Sequence, residues 1–195
     1  MKRILAWVVG GAALFFAAAV GLVLAQPYTL HGSAIVPPAP APEIVLDDYR
    51  LSEDQGKVVM FAFGYTTCPD ICPATLGEFK QVLARLGKDA EDVQMLFITV
   101  DPARDTPERM SAYTAAFDLR IRGLSGSEEE LEAVWGAYGV ARIRREVGSK
   151  AGYLVDHSTR IYVVDRAGNL RATYAFGTPV ADLVSDLRFL ARESR

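Results

Sequence analysis

Two short apolar runs, Lys57–Phe63 (KVVMFAF) and Val93–Val100 (VQMLFITV), constrain this chain more than any other feature. Neither alternates cleanly between polar and apolar residues. Each therefore reads as a strand covered on both faces, as in a buried parallel sheet. Between them, Ala74–Leu86 places Leu76, Phe79, Leu83 and Leu86 on one helical face. A second helix is expected over Pro107–Phe117, with Thr106 as N-cap and Pro107 at its first position. A third is expected over Ser127–Tyr138, with Leu131, Val134, Trp135 and Tyr138 in phase and Gly139 ending it. Arg160–Val164 and Leu170–Phe176 read as strands joined through the turn DRAGN, and Val180–Leu190 as a last helix. The order β-α-β-α-α-β-β-α implies an α/β domain with a central mixed sheet flanked by helices. Met60, Met95 and Trp135 fall at core spacing and read as packing.

The chain of 195 residues leaves room for one globular domain and a membrane segment. Its 21 Lys and Arg against 24 Asp and Glu, with no basic stripe, argue against nucleic acid as a partner. After Met1-Lys2-Arg3 come 22 uncharged, mostly apolar residues, Ile4–Ala25. As a helix they span about 33 Å against a bilayer core of about 30 Å. A cleaved signal peptide is the competing reading, but the run exceeds the usual ~7–15 apolar residues, so residues 1–25 are expected to be an N-terminal transmembrane anchor. Lys2 and Arg3 keep the N-terminus inside and send the rest outward. Residues 26–42 carry five prolines and no charge, and read as a spacer. His31 within it reads as a solvated linker histidine. The globular domain is expected over 43–195.

Both cysteines, Cys68 and Cys72, lie in FGYTTCPDICP, and His157 is the one histidine within the expected domain. A disulfide between them would close a very small loop and remove little unfolded-state entropy, so it would be a poor staple. Pro69 and Pro73 push each cysteine away from helical torsions. Pro73 suits the first helical position, which would make Cys72 the N-cap, its thiolate favoured by the helix dipole. Two thiolates and one imidazole suit Cu(I), whereas zinc normally completes four positions. A catalytic zinc with bound water would need a general base, and none is evident beside the loop.

His157 sits in VDHSTRIYVVD, just before an expected buried strand, where it can reach the end of the strand preceding Cys68. Asp156 is a candidate to orient its imidazole. Asp101 and Asp105, in VDPARDTPE, are candidates for supporting groups or proton handling; a strand-to-helix turn with capping acids explains them equally. Arg142, Arg144, Arg145 and Lys150 form a basic loop, either simply solvated or suited to docking an acidic partner.

The segments FGYTTCPDICP, VDPARDTPE and DHSTRIYVVD, in this order, resemble the Sco (SenC/PrrC) family of copper-binding proteins over about residues 43–192. The resemblance implies a thioredoxin-like fold, with copper held by Cys68, Cys72 and His157. It implies Cu(I), or also Cu(II), and a role in assembling the dinuclear copper centre of cytochrome c oxidase subunit II. Asp101 matches the acid of the family's DPxRDTP segment. Ordinary thioredoxins use CxxC and a cis-proline facing the site. Here the spacing is CxxxC, no proline lies between Pro107 and Pro179, and His157 is expected at the facing position. The expected protein is a monomeric metallochaperone, tethered to the membrane with its domain on the periplasmic face and served by a periplasmic copper donor and a thiol reductant. A thiol-disulfide oxidoreductase using Cys68 and Cys72 as its catalytic pair is the alternative. A peroxidase reading is weaker, because nothing points to a pocket that activates one cysteine for peroxide.

Overall fold

In the computed structural model, the described residues are 15–16, 28–46, 48–148 and 152–193. Ten strands and four α-helices follow one another along them. The expected anchor lies outside the described residues except for Phe15 and Phe16. No helix of the described residues is long and apolar enough to cross a membrane.

The two apolar runs become β4 (Val58–Gly64) and β5 (Val93–Thr99), paired in parallel from Val58↔Val93 to Gly64↔Thr99. All seven residues of β4 are buried, as the absence of polar interruption requires. On one side of β4–β5, β6 (Ile121–Leu124) adds in parallel. On the other, β9 (Ile161–Val164), β10 (Asn169–Tyr174) and β1 (Ser33–Pro40) add antiparallel. The sheet order is β1-β10-β9-β4-β5-β6, a mixed sheet. Two small ribbons lie beside it: β2 (Val45–Leu46) with β3 (Tyr49–Arg50), and β7 (Arg142–Glu146) with β8 (Tyr153–His157).

The helices are α1 (Ile71–Leu86), α2 (Pro107–Ala115), α3 (Glu128–Ala137) and α4 (Val180–Arg192). Phe61 and Phe63, two apart on β4, share a face and meet Tyr138, which ends α3, and Tyr162. Such aromatic pairs each add about 0.5–1.5 kcal/mol beyond burial. A Cβ at Gly64, on the alternate face, would meet Cys72 of α1. The alternation of side chains along a strand therefore places α1 and α3 on opposite faces of the sheet. At the β6 edge, a Cβ on Gly123 would lie 2.4 Å from the Met110 carbonyl, so only glycine lets α2 approach that closely.

Three expectations change. The proline-rich stretch expected as a spacer is in part an edge strand: Ala34 pairs with Ala172 and Ala39 with Leu170, with the register shifting across residues 35–38. Proline cannot donate to a ladder, and an edge bulge is where a sheet tolerates it. His31 is not a free linker residue. Its Nδ1 lies 2.7 Å from Asp186 on α4, and its main-chain N–H donates to the same carboxylate at 2.8 Å. Tyr28 and Tyr174 also donate to Asp186, and the Tyr28 ring stacks on Phe189 at 4.2 Å. The expected basic loop is the β7–β8 ribbon, its arginines taken up by Glu128, Glu146 and Asp156; Lys150 lies outside the described residues.

The Asp186 carboxylate beside His31 raises the histidine pKa above its ordinary value of 6.5. A raised folded pKa means that the protonated form stabilises the fold. That contribution is complete below about pH 6.5 and disappears as the pH climbs through the raised value. Thermal melts of wild type and His31→Gln are expected to differ most in mild acid and to converge at alkaline pH. A difference that grows with pH would refute the assignment.

Candidate metal centre

The site is built where β4 runs out. Gly64 closes the strand, and its carbonyl accepts from Val100 N–H at 2.8 Å, locking the ends of β4 and β5 together. Its missing side chain matters: a Cβ there would lie 2.2 Å from the Phe97 ring and 2.8 Å from Cys72 Sγ. The chain then turns through residues 65–70 into α1, with Cys68 N–H donating to the Tyr65 carbonyl at 3.3 Å.

Helix α1 begins at Ile71, with Asp70 at the N-cap, so Cys72 is the second helical residue and not the cap. Pro73 is tolerated there because first-turn N–H groups have no helical partner in any case. The earlier start carries Cys72 inward. It is 1 % exposed, whereas Cys68 is half-buried at the surface. Both are free thiols.

The two thiols differ in acidity, chiefly through the hydrogen bond between them and then through burial. Cys68 is held far below the usual thiol range. The largest cause is the hydrogen bond from the Cys72 thiol, and the main-chain N–H groups of Asp70 and Cys72 add to it, against the opposing effect of burial. Cys72 is pushed up, because its proton serves Cys68 and because it is buried. The helix N-terminus was expected to favour the Cys72 thiolate; the hydrogen bond between the two thiols instead lowers the Cys68 pKa and raises that of Cys72.

His157 is the last residue of β8 and faces the cysteines. Its Nδ1 lies 2.9 Å from the Ser158 carbonyl, an atom that can only accept, so Nδ1 carries the proton and Nε2 keeps a free lone pair. Nε2 lies 3.7 Å from Cys72 Sγ. The two sulfurs and a ring nitrogen all lie within 4.8 Å of one another. Metal–sulfur and metal–nitrogen bonds of about 2.3 and 2.0–2.1 Å, set at trigonal angles, put S and N about 3.8 Å apart. The pair already stands at that separation. Among the described residues, no other group of three His, Cys, Asp or Glu side chains is so placed.

The carboxylates take other duties. Asp101 accepts from Arg104 and, at 2.7 Å, from the Tyr153 hydroxyl, and so braces the turn end of the β7–β8 ribbon. Asp156 pairs with Arg145 at 2.9 Å on the exposed face, and the imidazole is oriented by the Ser158 carbonyl in its place. Asp105, fully buried, accepts from Thr66 N–H, the Thr66 hydroxyl and the Thr99 hydroxyl at 3.0, 2.5 and 2.8 Å. It thereby pins the chain two residues before Cys68. Sequence reasoning missed Gly64, Tyr65 and Ser158. Of these only Gly64 left a signal, as a lone glycine at the end of an apolar strand.

Comparison with known proteins points the same way. The profile of the family described as SCO1/SenC matches residues 48–192. An SCO2-like protein of Rickettsia felis is 33% identical over 134 residues, covering 67% of this chain and 65% of that protein. The solution structure of apo Sco1 from Thermus thermophilus superposes with a TM-score of 0.75 at 36% identity, covering 84% of this chain and 98% of that one. Bradyrhizobium japonicum ScoI, solved with copper bound, gives a TM-score of 0.71 at 34% identity, covering 78% and 99%. The chain thus spans about two thirds of the curated relative and nearly all of each solved domain.

Proposed function

The chain belongs to the SCO1/SenC family, and from that premise we propose that it is a copper chaperone carrying Cu(I) on Cys68, Cys72 and His157. The observation that carries this reading is the preassembled donor set, two sulfurs and an imidazole nitrogen within 4.8 Å of one another. Soft thiolates select Cu(I), which is satisfied with two or three ligands. The ion is cargo. Cys72 forms the buried floor of the site, while Cys68 and His157, both half-exposed, form its rim. An incoming thiolate or imidazole of a recipient meets the rim first and exchanges with those ligands. On the family resemblance, the recipient is cytochrome c oxidase subunit II during assembly of its dinuclear copper centre.

Ile4–Ala25 is proposed as a single membrane span holding the domain on the periplasmic face. Protease added to intact spheroplasts should digest the domain, and full protection would reverse that topology.

A second reading has its own support. Cys68 is an accessible thiol with depressed pKa, and Cys72 is a buried neighbour able to resolve a mixed disulfide. This is the arrangement of a thiol-disulfide reductant. One set of samples separates the two roles. A Cu(I) competition titration of the whole detergent-solubilised chain should give one ion per protein, and His157→Ala should weaken it about tenfold or more, since even groups behind the ligands are worth about 10–100-fold. If His157→Ala binds Cu(I) like wild type while both reduce a test disulfide equally without metal, the reductant reading prevails.

A further inference from the structure

Tyr65 stands three residues before Cys68, is 2 % exposed, and has polar groups that go three separate ways. Its main-chain carbonyl accepts from Cys68 N–H at 3.3 Å. Its main-chain N–H favours the thiolate form of Cys72. Its hydroxyl accepts the Val155 amide of β8 at 3.2 Å. The ring meets the His157 imidazole edge-on, with centroids 5.9 Å apart and planes at 82°. One side chain and its own peptide groups therefore reach both cysteines, the histidine, and the strand that carries the histidine.

We propose that Tyr65 is the positioning residue of this site, its hydroxyl fixing the β7–β8 ribbon so that the His157 imidazole stands ready over the two cysteines. Other ties hold the ribbon to the rest of the domain: Arg142, opposite His157 in the ribbon, donates to the Val100 carbonyl at 3.1 Å and pairs with Glu128. Arg104 donates to the Tyr153 carbonyl and the Tyr153 hydroxyl donates to Asp101, both four residues from His157. Ser158 N–H donates to the Ala141 carbonyl, across the foot of the ribbon itself. Val155 lies two residues before His157 and, by strand alternation, points to the same face. Its tie to Tyr65 thus joins the cysteine loop directly to the histidine strand. A ligand already in place costs nothing to reorganise when the ion enters. A ribbon that wanders lowers the apparent affinity by the fraction of time the imidazole is absent.

The consequence for metal rests on the copper reading, whereas the tie itself does not. Tyr65→Phe keeps the ring and the main chain and removes only the acceptor. In the metal-free full-length chain, the Val155 amide should exchange with deuterium about tenfold faster than in wild type, the size of one lost hydrogen bond. In Cu(I) competition, Tyr65→Phe should lose about tenfold in affinity, yet cost nothing further in a His157→Ala background, because the tyrosine acts through the histidine. Unchanged exchange at Val155, or an equal loss in both backgrounds, would overturn the proposal. Should Cys68→Ala and Cys72→Ala bind Cu(I) like wild type, the copper reading fails, and Val155 exchange alone still decides the role of Tyr65.

Discussion

Replacing either cysteine with alanine is expected to remove tight Cu(I) binding, by about three orders of magnitude or more, since one soft thiolate and an imidazole make a poor Cu(I) site. The two variants should nonetheless differ. The hydrogen bond between the two thiols lowers the Cys68 pKa and raises that of buried Cys72, which therefore holds its proton more tightly. Cu(I) needs both thiolates, so uptake expels that proton, and wild-type affinity should rise about tenfold per pH unit while one proton is displaced. Cys72→Ala removes the main donor to Cys68, whose pKa should climb back toward the ordinary thiol range. Cys68→Ala leaves a buried thiol with little reactivity. Alkylation rates against pH read this directly: wild type should react at Cys68 well into acid, Cys72→Ala only near neutral pH and above, and Cys68→Ala hardly at all. Modification of Cys72 before Cys68 in wild type would contradict the assigned asymmetry.

The second large effect is expected at Asp105. Its carboxylate is fully buried and satisfies Thr66 N–H and the hydroxyls of Thr66 and Thr99, with Arg109 Nε 3.9 Å away. Asp105→Ala strands a main-chain N–H and a buried hydroxyl at once, which should cost about 3 kcal/mol or more. Asp105→Asn keeps one acceptor oxygen and should lose about half as much. Because Thr66 is two residues before Cys68, Cu(I) affinity should also fall about tenfold in the alanine variant, as when a group supporting a metal ligand is removed. Urea unfolding with an unchanged slope but a lowered midpoint would confirm the first part. A midpoint within experimental error of wild type would show that the network does not stabilise the fold.

Much of this architecture is readable from the chain because burial writes a strong pattern. KVVMFAF and VQMLFITV have no solvent-facing side, and a strand of that kind has few places to go but the centre of a sheet. The edges are harder. Strand β6 is IRGL, with an arginine and a glycine that suit an edge beside α2 and suppress the apolar signal. Strand β1 hides behind prolines that its bulge accommodates. The ribbon of β7 and β8 is held by pairs such as Arg145–Asp156 and by Arg144 stacked 3.7 Å over Tyr153, which only a paired register reveals. The three candidate metal donors stood out in the sequence by their rarity. The order of thiol acidity did not, because it turns on where α1 begins, and Pro73 permits a start at Ile71 as readily as at Pro73 itself.

The seam between the N-terminal segment and the rest of the domain has a mechanical consequence. Tyr28 and His31 are fastened to α4, and Ser33–Pro40 is woven into the sheet. If Ile4–Ala25 crosses the bilayer as proposed, the slack between Ala25 and Tyr28 is three residue steps, about 10 Å at full stretch. A leash that short allows no roaming. The carrier would work at a fixed height just above the lipid headgroups, and any client must bring its own vacant ligands down to that level to be served.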